Sequence, residues 1–138
     1  MNILFDTNIL LDVFLQRKPH FKNSAFLTDL AEKGILTGWL CATTVTTLYY
    51  LLHKELNKEV AETVIKSLFK VFDVSAVNRM VLETAIESNF RDYEDAVLHQ
   101  AAFHSNLEGI VTRNKKDFKK SSLSVYTPDE LISILEQS

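Results

Sequence analysis

Residues 3–12 read Ile3-Leu4-Phe5-Asp6-Thr7-Asn8-Ile9-Leu10-Leu11-Asp12. A short unbroken apolar run bounded by polar residues is the mark of a strand buried on both faces, the kind a parallel sheet uses. Asp6-Thr7-Asn8 stops the run. From Ile9 to Leu15 the apolar residues fit a helix, with Asn8 in the place of its N-cap. Pro19 closes that element. The chain therefore opens with a buried strand feeding directly into a helix.

The same alternation continues outward. Phe21 to Lys33 is amphipathic and stops at Gly34, where helices favour a left-handed residue. Leu36–Ala42 reads as a second strand. Thr43 to Leu56 and Lys58 to Phe72 form a helical pair broken at Asn57. A short strand near Phe72–Ser75 precedes a helix over Val77–Ser88. Asp92 caps the helix Tyr93–Ser105. Gly109–Thr112 is a compact strand and Arg113–Lys120 a charged turn. Leu123–Tyr126 is the last strand, and Pro128 sits in the first turn of a terminal helix, where a missing N–H costs little. Short strands alternating with helices predict an α/β fold, with a mainly parallel sheet of about five short strands covered on both faces.

The 138 residues fit one compact domain over 1–138, large enough to bury a core without staples. A hydrophobic share of 46% and a charged share of 24% match folded globular chains and argue against disorder. The single cysteine, Cys41, excludes an intramolecular disulfide and a cysteine zinc cluster, and its apolar surroundings suggest an inert buried thiol. Met1–Leu15 lacks the basic start and cleavage site of a signal peptide. No apolar run approaches the roughly 20 residues of a membrane span. A cytoplasmic location is the expectation. The net charge of −3 argues against a nucleic-acid coat protein without excluding a nucleic-acid enzyme.

Open parallel sheets bind ligands beyond the carboxyl ends of their strands. Three acids fall there: Asp6 after the first strand, Asp95 in the first turn of the helix entered at Asp92, and Asp117 just past Gly109–Thr112. Mg²⁺ and Mn²⁺ take oxygen ligands, so two or three carboxylates completed by water and phosphate suit them. The same acids also suit helix caps and turns, and spacing alone leaves both readings open.

Three segments carry a resemblance. Asp6-Thr7-Asn8-Ile9-Leu10-Leu11-Asp12 looks like the opening motif of PIN domains. Asp92-Tyr93-Glu94-Asp95-Ala96, followed by Ala101-Ala102, looks like their third acidic motif. Ile110-Val111-Thr112-Arg113-Asn114 with Asp117-Phe118 looks like their fourth. The resemblance runs from residue 2 to about residue 132. It implies a three-layer α/β/α sandwich and a Mg²⁺- or Mn²⁺-dependent endoribonuclease that attacks phosphodiesters with metal-activated water, with Asp6, Asp95 and Asp117 as ligands. Many bacterial members, the VapC-like group, are toxins of toxin–antitoxin pairs and dimerise. The implied partners are thus an RNA substrate, an antitoxin protein and a second copy of the chain. Arg17-Lys18-Pro19 resembles one bacterial branch.

One position departs from the family's pattern. The acid that PIN nucleases carry early in the helix after strand two falls on or near Thr47, which supplies a hydroxyl and no charge. Asp12 and Asp92 are the candidates to compensate. The departure also keeps open a catalytically weak or inactive PIN-fold module that binds RNA or protein.

Auxiliary roles are expected of several neighbours. Asp12 shares a helix face with Asn8, four residues earlier. Thr7 and Asn8 follow Asp6, and Asn8 has the amide to hold it in register. Thr112 and Asn114 suit a phosphate or a metal-bound water. Arg113, Lys115, Lys116, Lys119 and Lys120 form a basic cluster, either a solvated turn or a phosphate contact. His99, four residues after Asp95 on the same helix, could face the site, but it has no second His or Cys to complete a transition-metal set, so ligation is not expected of it. The chain has neither a P-loop nor the acid pair and terminal Lys of an aspartyl-phosphate receiver, whose places are held by Leu4-Phe5 and Thr127-Pro128.

Overall fold

A computed structural model describes residues 1–137. Five strands alternate with seven helices among them: β1 (Asn2–Phe5), α1 (Thr7–Phe14), α2 (Phe21–Glu32), β2 (Thr37–Cys41), α3 (Ala42–Glu55), α4 (Lys58–Val71), β3 (Asp73–Ser75), α5 (Arg79–Ile86), α6 (Tyr93–His104), β4 (Gly109–Val111), β5 (Ser124–Tyr126) and α7 (Pro128–Glu136). A short 3-10 turn, Lys115–Phe118, links β4 to β5. Every strand pairing is parallel and the spatial order is β3-β2-β1-β4-β5. The chain builds outward from β1 to β3, then returns to the other side of β1 for β4. That reversal leaves a crevice beyond the ends of β1 and β4, where such sheets bind ligands.

Alternation along the strands splits the core in two. Ile3 and Phe5 of β1, with Val111 of β4, join a cluster with α1, α2, α3, α4 and α7. Leu4 and Ile110 point the other way, into a cluster with α5, α6 and Phe118. The result is the expected three-layer α/β/α sandwich. Phe5 and Phe72 pack edge to face with centroids 5.0 Å apart. A Cβ at Gly38 would lie 2.5 Å from that Phe72 ring, so β2 requires a glycine where the ring crosses it.

Local chemistry sets the element ends. Asn57 and Asn78 accept the backbone N–H groups of Val60 and Val81, at 2.8 and 3.0 Å. Thr127 and Glu130 form a reciprocal capping box with Pro128 in the first turn of α7. Gly34 holds φ +76° after α2. Most boundaries fall within a residue of expectation, and two helix starts differ by two. Helix α1 begins at Thr7 with Asp6 at the N-cap, so Asn8 lies inside the first turn and is not the cap. Helix α5 starts only at Arg79, because Asn78 takes the capping role and leaves Val77 outside.

Candidate metal and nucleic-acid site

The end of β1 places Asp6 in an extended conformation, with its N–H donating to the Val111 carbonyl at 3.0 Å. Its carboxylate is buried, and Oδ2 accepts the Thr112 hydroxyl at 2.7 Å. The same Thr112 oxygen accepts the Asn114 N–H at 3.0 Å, so one hydroxyl ties Asp6 to the loop after β4. Asp117 lies within the 3-10 turn. It is held by its N–H to the Asn114 carbonyl at 2.9 Å and by its neighbour Phe118, which is buried. Asp95 sits in the first turn of α6, where its N–H donates to Asp92 Oδ1 at 3.0 Å.

These elements enclose a cavity of about 300 Å³ lined by Asp6, Thr7, Asn8, Leu11, Thr47, Leu51, Asp92, Glu94, Asp95, Leu98, Asn114 and Asp117. The three acids anticipated at the strand ends therefore meet in one cavity, with Thr7, Asn8, Thr47, Asp92 and Asn114. A second cavity of about 350 Å³ shares Asp92, Asp95 and Asp117 and adds Arg91. Thr112 reaches the site through Asp6 and is itself buried.

Asp12 and Arg113 stand apart from both cavities. Asp12 is fully buried, and Arg113 Nε lies 2.8 Å from its Oδ2. Asp12 therefore does not supply the charge missing at Thr47, and Arg113 sets its Nε against that carboxylate while lining a separate cavity with His20, Asn23 and Asp129. Asp92 and Glu94, which line the cavity, are the acids placed to compensate.

Glu94, Thr44 and the leucine wall escaped the sequence reading. Glu94 stood inside the motif quoted around Asp95, but helical geometry turns neighbouring residues apart; at the first turn of α6 both still reach the cavity. Thr44 is buried, and its hydroxyl pairs with that of Thr7 at 2.8 Å. It and Leu51 lie three residues before and four after Thr47, a spacing that puts all three on one helix face. His99 packs into the core rather than lining the cavity. It is buried, its ring stacks on Phe90 at 4.9 Å, and Nε2 accepts the Ser122 N–H at 3.1 Å.

Crowding dominates the electrostatics. The Asp95 pKa is raised from 3.8 to about 7, first by burial and then by the charges of Asp6, Asp92, Asp117 and Glu94. Burial also raises the Asp6 pKa, opposed by the Thr112 hydroxyl, the Thr7 N–H and Arg113. Among the described residues, no three His, Cys, Asp or Glu side chains are drawn up around a common point as in a filled metal site. The donors themselves fit a hard divalent cation. The carboxylates are joined on the same walls by two amides and two threonine hydroxyls, with no sulfur or imidazole among them.

A family model of the PIN domain matches residues 2–116, and the chain belongs to that family. No curated protein is a significant match by sequence. Solved structures do match. A toxin–antitoxin complex from Klebsiella pneumoniae is 21% identical with a TM-score of 0.69, over 91% of this chain and 97% of that one. The DNA-bound VapBC of Salmonella typhimurium is 16% identical with a TM-score of 0.70, over 93% and 98%. VapC20 of Mycobacterium tuberculosis, a Sarcin-Ricin loop cleaving toxin, is 15% identical with a TM-score of 0.61, over 78% and 86%. At these identities the likeness establishes the fold.

Proposed function

We propose that this single-domain protein is a Mg²⁺- or Mn²⁺-dependent endoribonuclease and the toxin of a toxin–antitoxin pair. The observation that carries the reading is the convergence of Asp6, Asp95 and Asp117 on one cavity of a PIN fold, with Asp95 pushed to about 7 by burial and its acidic neighbours. Such crowding favours a bound cation over bare carboxylates. Asp6, Asp95 and Asp117 would hold it, with Asp92 and Glu94 adding negative charge at the rim. When bound, a divalent cation supplies Lewis acidity and makes water a stronger nucleophile at neutral pH.

The chain's own groups do the remaining work. Thr112 fixes the Asp6 carboxylate through its hydroxyl. The side chains of Asn8, Thr47 and Asn114 offer hydrogen bonds to a phosphate or ribose. Leu11, Leu51 and Leu98 give the cavity an apolar wall that thins out competing water. Arg91, beside the shared aspartates, is placed for a neighbouring phosphate, with Lys116, Lys119 and Lys120 near Asp117 for the strand beyond. No helix among the described residues is long and apolar enough to cross a membrane, in keeping with a cytoplasmic enzyme. The toxin–antitoxin complexes among the structural matches support an antitoxin partner, and a homodimer is part of the same reading.

Thr47 favours a second reading, a PIN-fold module that binds RNA or protein with little or no catalysis. Purified protein incubated with RNA and Mn²⁺ or Mg²⁺, beside an Asp95→Asn control, separates the two. The nuclease reading expects cleavage that needs the cation and disappears in the variant. Intact RNA across varied substrates, with no cation bound in titration calorimetry, would establish the binding module instead.

A further inference from the structure

Both ends of α1 carry an aspartate, and the two aspartates engage adjacent residues of one loop. Asp6, at the N-cap, takes the Thr112 hydroxyl at 2.7 Å. Asp12, in the last turn, lies 2.8 Å from Arg113 Nε. Thr112 and Arg113 are consecutive and lie just past β4, so their side chains straddle the helix. The segment that begins there ends at Asp117, whose only described regular support is a 3-10 turn.

The ion pair is unusual for its setting. The Asp12 side chain is 0% exposed and that of Arg113 22%. Ser24 Oγ approaches Asp12 Oδ2 at 3.5 Å, while Oδ1 has no hydrogen-bond partner, and the Arg113 N–H is not aligned for a hydrogen bond. A buried pair satisfied this incompletely gains little over apolar side chains of the same volume. What an ion pair adds that apolar packing does not is a fixed register between the two segments it joins.

We propose that the Asp12–Arg113 pair is a positioning device: it locks the Thr112–Asp117 segment against α1, so that Asp117 is held in the cavity that Asp6 lines. The proposal rests on the nuclease reading for its consequence in catalysis, and on the contacts alone for its consequence in structure. Neither residue lines the cavity; apart from the charge that Arg113 sets against Asp6, their effect passes through Thr112, Asn114 and Asp117.

The deciding variant removes the pair without leaving an orphan charge. Arg113→Met alone strands the Asp12 carboxylate and is expected to lower thermal stability. The double variant Asp12→Leu with Arg113→Met is expected to recover wild-type thermal stability. It should nevertheless bind Mn²⁺ about 10- to 100-fold more weakly and lose kcat on the same scale with KM little changed, the usual cost of losing a group that orients a metal ligand. Amide exchange at Asn114 and Asp117 should accelerate while the β1 and β4 amides stay protected. A stable double variant with wild-type Mn²⁺ affinity, kcat and exchange would overturn the proposal. Should the double variant not fold, Asp12→Asn decides, since it keeps the shape, removes the ion pair and leaves the unpaired charge on the partly exposed Arg113. Weaker Mn²⁺ binding and faster loop exchange in that folded variant support positioning, and wild-type values refute it. If the wild type itself neither binds Mn²⁺ nor cleaves RNA, the nuclease reading falls; exchange at Asn114 and Asp117 then still tests the lock.

Discussion

Replacing Asp95 with Asn should make the cation-free protein more stable at pH 8 while abolishing its activity. In the folded chain the Asp95 pKa is about 7, raised from 3.8 by burial and by Asp6, Asp92, Asp117 and Glu94. Between those two values the folded state holds a proton that the unfolded chain releases. Stability from this group is therefore complete below about pH 4 and is lost as pH rises through about 7. At roughly 1.4 kcal/mol per pKa unit the full effect would approach about 4 kcal/mol. Asp95 is partly exposed, so solvent screens the repulsion and about 1–2 kcal/mol is the realistic share. Asn keeps the shape and never ionises, so the variant should recover that amount at pH 8 and little at pH 4.

The measurement is thermal unfolding in EDTA from pH 4 to 8, for both proteins. In a domain of this size about 1–2 kcal/mol moves the midpoint by roughly 3–10 °C. Saturating Mn²⁺ should then stabilise the wild type at pH 8, by about 2.7 kcal/mol at a hundredfold excess over Kd, and leave the variant nearly unmoved. An Asp95→Asn protein no more stable than wild type at pH 8, or one that keeps the wild-type pH slope, would refute the crowding argument.

Thr47→Glu adds a carboxylate to the same cavity, so it should tighten Mn²⁺ binding several-fold in titration calorimetry and lower the cation-free midpoint at pH 8; unchanged affinity would mean that Thr47 does not face the cation. Gly38→Ala should cost about 1–3 kcal/mol in urea unfolding, because the new methyl meets the buried Phe72 ring at 2.5 Å. An unchanged midpoint would show that the ring shifts freely.

The order of elements was legible because this chain punctuates itself: apolar runs for buried strands, then Asp, Asn, Gly or Pro where each element turns. Asp6, Asp95 and Asp117 were legible for the same reason, since a parallel sheet brings its strand ends to one edge. Other features had no local signal. Asn8 looked like a cap, but the extended backbone of Asp6 takes that place and the helix starts at Thr7. Asp12 looked like a cavity acid, because a spacing of four residues fixes a helix face without saying whether that face meets solvent or a neighbouring loop. Its partner Arg113 lies at the far end of the sequence, and only the adjacency of β1 and β4 brings them together. Glu94 stood in the quoted motif with no role assigned, because sequence alone does not show that the first turn of α6 brings it to the cavity beside Asp95.

The distribution of charge also fixes an order of events. Asp6, Asp92, Glu94, Asp95 and Asp117 line a cavity that, on the nuclease reading proposed above, takes a polyanion, and Arg91 is the one basic residue among the described ones lining the two cavities that share these acids. Without a cation the cavity repels a phosphate. On the same reading the lysines around the 3-10 turn would attract RNA only over a Debye length of about 8 Å at physiological salt, which would steer the strand without seating it. On the nuclease reading, cation binding should therefore precede productive RNA binding, and the two should be positively coupled. An RNA of fixed sequence titrated with Asp117→Asn protein, slow to cleave, should bind more tightly with Mg²⁺ than with EDTA at constant ionic strength. The Asp95→Asn and Asp117→Asn double variant, with two charges gone, should bind it without the cation and lose the difference. RNA affinity in the single variant that ignores Mg²⁺ would show that the strand is held by the lysines alone, away from the carboxylates.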